Sequence, residues 1–205
     1  MTLLSELKDR TADIHDRLES KLTIFDDDFS LADYRELLNA FYGFYRPCEE
    51  RMKRALQDDA SDLEDFLHDR LKTPALVADV RTLSDGEDAP IPDAVELPEF
   101  KSRSHILGAM YVMEGATLGG AVIAKHLRRR FGPAVDESLN FFTIYGERTG
   151  SQWSAFRDLL SIHDSPGVNQ TIIASAVRTF ECLERHLRLN IADTTAYSHQ
   201  TMIAL

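Results

Sequence analysis

The chain has 205 residues, with 34 Asp and Glu against 23 Lys and Arg, giving a formal net charge of −11. At 43% hydrophobic and 28% charged residues, it has the composition of one globular domain, neither disordered nor collagen-like. The acidic balance speaks against nucleic acid as a partner, because such a binder needs a basic face to displace counterions.

The N-terminus predicts no leader peptide, since Met1-Thr2-Leu3-Leu4 runs directly into charged Glu6, Lys8, Asp9 and Arg10. The most apolar stretch, Ile106 to Ile123, contains Glu114 and several glycines and ends beside Lys125, which argues against a membrane span. Cys48 and Cys182 have no motif spacing. A reducing cytoplasm, with no disulfide and no thiolate metal site, is the expected setting.

Helical patterning dominates from the start. Leu3, Leu4, Leu7, Ile14 and Leu18 form a helical stripe over Thr2 to about Leu22. After a turn around Phe25–Phe29, Ser30 is placed to cap a helix with Asp33 in its first turn. That helix carries Leu31, Tyr34, Leu37, Leu38, Phe41, Phe44 and Tyr45, and Pro47 is expected to interrupt or kink it. Two shorter pieces follow, roughly Cys48–Leu56 and Leu63–Leu71, and another helix opens at Thr73-Pro74 with Thr73 as cap. Ser84 to Pro98, with Gly86 and three prolines, reads as a surface loop. A long apolar helix is predicted over about Ser102–Phe131, stopped by Gly132-Pro133. Further helices cover about Thr149–Ile162 and Gly167–Ile191. The expectation is a single all-α domain of seven or eight helices over 1–191, followed by a loosely held tail over 192–205.

Seven histidines are present, and no pair has the His-x-x-x-His or Glu-x-x-His spacing of a helical metal site. A single imidazole can still serve as an axial ligand to haem iron. His15 is the best candidate, at the edge of the first helix's apolar stripe. Lys8 lies seven residues earlier, roughly 10 Å along the axis. Glu19, at i+4, can accept a hydrogen bond from the other ring nitrogen. The ordinary alternative is a satisfied boundary histidine between solvated neighbours, and spacing alone favours it.

The more unusual feature is the run Leu107 to Ile123, with Gly115, Gly119 and Gly120 inside a helical pattern. Each costs up to about 1 kcal/mol relative to alanine. Gly115 and Gly119 share one face, where either a flat ligand or a tightly packed helix could approach the main chain. A phosphate loop is excluded by the absence of a preceding strand and of the required glycine spacing.

These segments together resemble the haem oxygenases, particularly the bacterial biliverdin-forming group associated with phytochromes. Thr11-Ala12-Asp13-Ile14-His15-Asp16-Arg17-Leu18-Glu19 is similar to the proximal segment. Leu107 through Ile123, especially Tyr111 through Gly120, is similar to the distal glycine helix. Phe141-Phe142 with Tyr145 through Trp153 is similar to the entry of the later haem-contacting helix. The resemblance implies a single-domain helical bundle holding haem b between a proximal and a kinked distal helix. It implies His15 as iron ligand, Glu19 as the partner of its imidazole, and Lys8 and Arg157 as propionate anchors. Gly115 and Gly119 would bend the distal helix close over the haem, beside Tyr111 and Leu118.

The implied reaction is O2-dependent cleavage of haem to biliverdin, CO and Fe2+. Electrons would come from a ferredoxin or a reductase, and the bilin could pass to a phytochrome. Many family members carry an aspartate where this chain has Ala116, so Thr117, Glu114, Arg148 or a backbone group would have to hold the catalytic water instead. A haem carrier or sensor without turnover is the alternative. An all-α relative with another ligand, thiaminase-like or di-iron, lacks the residues it needs here.

Overall fold

The computed structural model describes residues 2–57, 62–84 and 91–191; the expected tail lies outside them. Eight α-helices fill these residues: α1 Leu3–Glu19, α2 Leu31–Leu56, α3 Asp62–His68, α4 Thr73–Leu83, α5 Arg103–Gly115, α6 Thr117–Phe131, α7 Thr149–Ile162 and α8 Pro166–Asn190. Short 3₁₀ turns occupy Thr23–Phe25, Gly132–Ser138 and Gly146–Arg148. No strand occurs among the described residues, so the expected all-α class holds. The most extensive helix pairing is α5 on α8, with α1 also laid on α8 and α2 on α4.

Local sequence explains the boundaries. Ser30 and Asp33 form a reciprocal capping box at the start of α2. Gly132, at φ 59°, ends α6 in a backbone conformation that favours glycine. Two expectations need correction. Pro47 neither ends nor divides α2, which runs unbroken to Leu56. Proline at 47 cannot donate to the carbonyl of Gly43, and that carbonyl instead accepts the Ala94 N–H at 2.9 Å. Gly43 must be glycine for this docking, because a β-carbon there would run into the Pro92 carbonyl. The break is thus satisfied by a segment packed from outside the helix.

Thr73 is not the cap of α4 but its first residue, and its predecessor Lys72 makes no side-chain cap bond. The free amides of Lys72 and Thr73 are bound by the Glu49 carboxylate of α2, at 2.6 and 3.1 Å. A carboxylate from a neighbouring helix has replaced the local cap.

By length and composition, Arg103–Ser138 does pass as a candidate membrane-crossing helix, with mean hydropathy 1.5 over its most apolar window. This corrects the reading that Glu114 and the glycines disqualify it. Half of that window is buried inside the protein, and Ile106, Leu107, Met110, Val112, Met113 and Leu127 serve the core of the bundle.

His186 of α8 is buried against α2. Its Nε2 faces the Ala40 carbonyl at 2.9 Å, and its Nδ1 faces the Asn190 amide nitrogen at 3.2 Å. Both contacts are made by a neutral ring, and burial pushes its pKa below the ordinary 6.5. As pH falls below 6.5 the unfolded chain takes up the proton first, so stability must fall with pH in that window. Urea midpoints at pH 7.5 and 5.5 test this: the drop should be larger in the parent protein than in His186→Gln. Equal drops would refute it.

Candidate functional site

The glycines of the α5–α6 run divide into two kinds. A β-carbon on Gly108 would collide with the Ile172 carbonyl and the Ser175 side chain of α8, and one on Gly120 with the carbonyl of Phe142. Those two exist for close packing. A β-carbon on Gly115 or Gly119 would meet nothing within 4 Å. The helix bends between the two, at Ala116, where φ −58° and ψ −26° remain helical. The expected single helix is therefore two helices joined at one residue.

Tyr111, Gly115, Leu118, Gly119 and Val122 follow helical spacing, so they lie along one face. That face is largely uncovered: Leu118 is 47% and Val122 63% exposed. Two contacts set it opposite α1 and the turn that follows. At one end Tyr111 lies beside Thr11, whose hydroxyl donates to Leu7 O at 2.7 Å. At the other end the rings of Phe25 and His126 meet with centroids 4.8 Å apart. Between these ties the first segment carries His15 and Glu19, and the second carries the open glycines. We read the space between them as a slot, with the His15 imidazole on the side of α1 and the bare main chain of Gly115 and Gly119 on the other.

His15 is half exposed, its ring edge-on to Phe180 of α8 with centroids 5.9 Å apart. Its Nε2 lies 3.5 Å from a Glu19 oxygen, and its Nδ1 lies 3.7 Å from Asp16. These three side chains are close enough to share a metal ion. Ligation of iron by the imidazole requires one nitrogen to turn from its carboxylate neighbour.

Trp153 of α7 packs beside Tyr111, with centroids 6.0 Å apart. Arg157 follows it by one turn and is exposed, as is Lys8. Among the described residues, neither has an ion-pair partner. The expected site residues thus fall on the slot's two walls or at its Tyr111 end.

Behind the bend lies a cluster that the sequence did not disclose. Glu114 is 2% exposed. One of its oxygens binds Lys72 Nζ at 2.5 Å and the other binds Arg70 at 2.8 Å. The Tyr145 hydroxyl lies within 2.9 and 3.1 Å of the two oxygens and 2.6 Å from Lys72 Nζ. Burial pushes the Lys72 ammonium below its ordinary pKa, opposed by the attraction of Glu114. Burial and the Glu114 charge push the Tyr145 phenol upward. The one available signal was an acidic residue inside an apolar run; its partners looked like ordinary surface cations. Glu114 is therefore turned away from the slot. Thr117 is also engaged, donating to Glu114 O at 2.7 Å. Arg148 borders a separate cavity of about 560 Å³ together with Arg70, Tyr145 and Gln152.

Residues 1–188 match the Heme oxygenase family model. A curated heme oxygenase from Xanthomonas campestris pv. campestris (strain 8004) is 36% identical over 91 residues, covering 44% of this chain and 51% of that protein. The match therefore spans about half the length of that relative. Among solved structures, heme oxygenase from Leptospira interrogans superposes with a TM-score of 0.68 at 18% identity, covering 91% of this chain and 98% of that one. Heme oxygenase 2 from Chlamydomonas reinhardtii, solved without heme, gives 0.68 at 16% identity, covering 94% and 100%. At these identities the two structures establish the shared helical fold.

The two kinds of glycine predict opposite outcomes. Gly115→Ala and Gly119→Ala should each stabilise the ligand-free protein by up to about 1 kcal/mol, through helix propensity and a less flexible unfolded chain. Gly108→Ala and Gly120→Ala should destabilise it by about 1–3 kcal/mol through overpacking. Urea denaturation of the four variants measures this. Loss of stability at 115 and 119 comparable to that at 120 would assign all four glycines to packing.

Proposed function

The chain belongs to the haem oxygenase family, and from that membership and the shape of the slot we propose that it binds haem b and cleaves it with O2 and reducing equivalents. The products on this reading are biliverdin, CO and Fe2+. One observation carries it above all: Gly115 and Gly119 leave open space where no helix packs, on the wall facing the His15 helix.

The residues present suit such a ligand. A flat apolar macrocycle needs apolar walls, and Leu118 and Val122 present theirs uncovered. Its iron needs an accessible imidazole, and His15 is half exposed. Its two carboxylates need cations, and Lys8 and Arg157 are exposed at the Tyr111 end. When bound, haem supplies the iron at which O2 is reduced, and it is also the molecule consumed.

The protein's part is positional. Glu19, beside one His15 nitrogen, would orient the imidazole so that the other could ligate iron. The bare backbone at Gly115 and Gly119 would let the ring and bound O2 lie close to the main chain. Tyr111, beside Thr11, would close the slot. Ala116 brings no acidic group, Glu114 faces away and Thr117 is spent on a carbonyl. Proton delivery therefore falls to water held by main-chain groups at the Gly115–Ala116 bend. Electrons come from a ferredoxin or reductase, the bilin passes to a phytochrome, and the setting is the cytoplasm. This reading also extends the resemblance to the phytochrome-associated group.

The unassisted Ala116 gives a second reading some footing: a haem carrier or sensor with the same slot and no turnover. Hemin titration separates the cases. The parent protein should develop a Soret band at stoichiometric hemin, and His15→Ala should bind at least ~10-fold more weakly. With O2 and a reductant, the band should give way to a biliverdin spectrum. A stable complex without bilin favours the carrier. No band with the parent protein would end both readings.

A further inference from the structure

The His15 imidazole has neighbours of two kinds, and they differ in what they can hold. Asp16 and Glu19 stand near its two nitrogens, at 3.7 and 3.5 Å, beyond the range of a good hydrogen bond. Their side chains are 83% and 65% exposed, so neither can fix the ring alone. The Cβ–Cγ torsion of a histidine is broad and roughly two-fold. A half-exposed imidazole with only such neighbours has no defined plane. An axial ligand needs one, because the nitrogen lone pair lies in the plane of the ring and must be aimed at the metal.

Phe180 of α8 supplies the wall that is missing. Its ring stands at 85° to the imidazole with centroids 5.9 Å apart, an edge-to-face arrangement that aromatic pairs prefer. Unlike the two carboxylates, Phe180 is 6% exposed and belongs to the core of the bundle. The helix seam around the contact is closed as well. Ile14 and Leu18, on either side of His15 in the chain, are buried. One turn beyond Phe180, Glu184 binds Arg17 and Lys21. The imidazole is thus backed by a ring that the bundle itself holds in place, and its exposed half is left for a ligand.

We propose that Phe180 is the positioning residue of His15: its ring confines rotation of the imidazole about Cβ–Cγ and so sets the plane in which the nitrogen is presented. The inference rests on the haem-binding reading of the slot and adds to it a residue that acts only through His15. The turn that takes one nitrogen from its carboxylate neighbour then ends in a single plane. Glu19 bears on which nitrogen is held, and Phe180 on how the ring stands.

The test compares the parent protein with Phe180→Leu, Phe180→Tyr and Leu187→Ala. Leu187, two turns further along α8, is buried in the core as Phe180 is, so its truncation loosens the bundle without removing the aromatic ring. In the ligand-free protein, the carbon-bound ring protons of His15 should lose a ring-current displacement in Phe180→Leu. They should keep it in Phe180→Tyr and Leu187→Ala. With hemin, Phe180→Leu should bind about 2- to 10-fold more weakly, the range for loss of one aromatic pair. The haem-methyl proton shifts of the ferric cyanide complex and the iron–imidazole stretching band of the ferrous complex both respond to the orientation of the imidazole. Both should move in Phe180→Leu and stay at the parent positions in the other two variants. Parent-like spectra in Phe180→Leu would overturn the proposal. Equal changes in Leu187→Ala would reduce the effect to loosening of α8 and overturn it too. A parent protein without a Soret band fails the haem reading instead, and the ligand-free ring shifts then decide by themselves whether Phe180 holds the imidazole.

Discussion

The ion pair between Glu114 and Lys72, sealed by Arg70 and Tyr145, is the contact on which the rest of the architecture turns. Two cations and a carboxylate in the core are expensive to desolvate, and such a group holds only when every member is bonded. Here the condition is met: Lys72 Nζ has a carboxylate, a phenol and the Arg70 carbonyl as partners, at 2.5, 2.6 and 2.7 Å. Removing Glu114 would leave two buried cations unpaired, which typically costs about 3–5 kcal/mol. The cluster also joins separate parts of the chain. Arg70 and Lys72 come from the α3–α4 turn, Glu114 from the end of α5, and Tyr145 from the segment before α7. Glu49 of α2 enters from the side by holding the amides that begin α4. The back of the bend is thereby fixed by polar bonds, and its front is freed from any packing duty.

The other wall of the slot is held by charge at the surface. Glu184 of α8 receives Arg17 at 3.0 Å and Lys21 at 2.5 Å. Its bonds to Arg17, followed by those to Lys21, hold its carboxyl down to about 2. Both follow His15 in the chain, so the tie holds the C-terminal end of the candidate ligand helix on α8. A net charge of −11 makes the overall field unfavourable for an anionic ligand. Attraction must then be local, and the cations divide accordingly. Arg17 and Lys21 serve α8, Arg128 faces Asp136 at 3.4 Å, and Arg130 binds the carbonyls of Asp26 and Asp27. The basic end of α6 is thus largely occupied with intramolecular contacts. Lys8 and Arg157 are among the described cations that make no ion pair.

Most of the helical outline was legible because it rests on local rules. The α1 stripe, the Ser30–Asp33 box, the Gly132 stop and the span of α7 are each written within a few neighbouring residues. The misreadings share one cause, which is a distant group that meets a local need. Pro47 reads as a helix breaker until Ala94 supplies the missing donor. Thr73 reads as a cap until Glu49 takes that role from another helix. The site followed the same division. His15, Glu19 and the glycines are singled out by the family resemblance of their segments, since spacing alone favours an ordinary boundary histidine. Glu114, Lys72 and Tyr145 are joined only by the fold, and residue types common on any surface gave no sign of it.

The glycines show the limit most clearly. Gly108 and Gly120 are required because another backbone stands too close for a β-carbon, whereas Gly115 and Gly119 have nothing there. The same residue type answers two opposite physical situations, and the sequence alone cannot separate them. Only the first has its cost offset within the ligand-free protein, through close packing with α8 and with the segment at Phe142. The second leaves a helix less stable than an alanine version, bare on its outer face beside exposed Leu118 and Val122. A helix kept in that condition has its compensation outside the chain. On the haem-binding reading proposed above, a flat ligand laid against the bare main chain and anchored by the His15 imidazole would supply it.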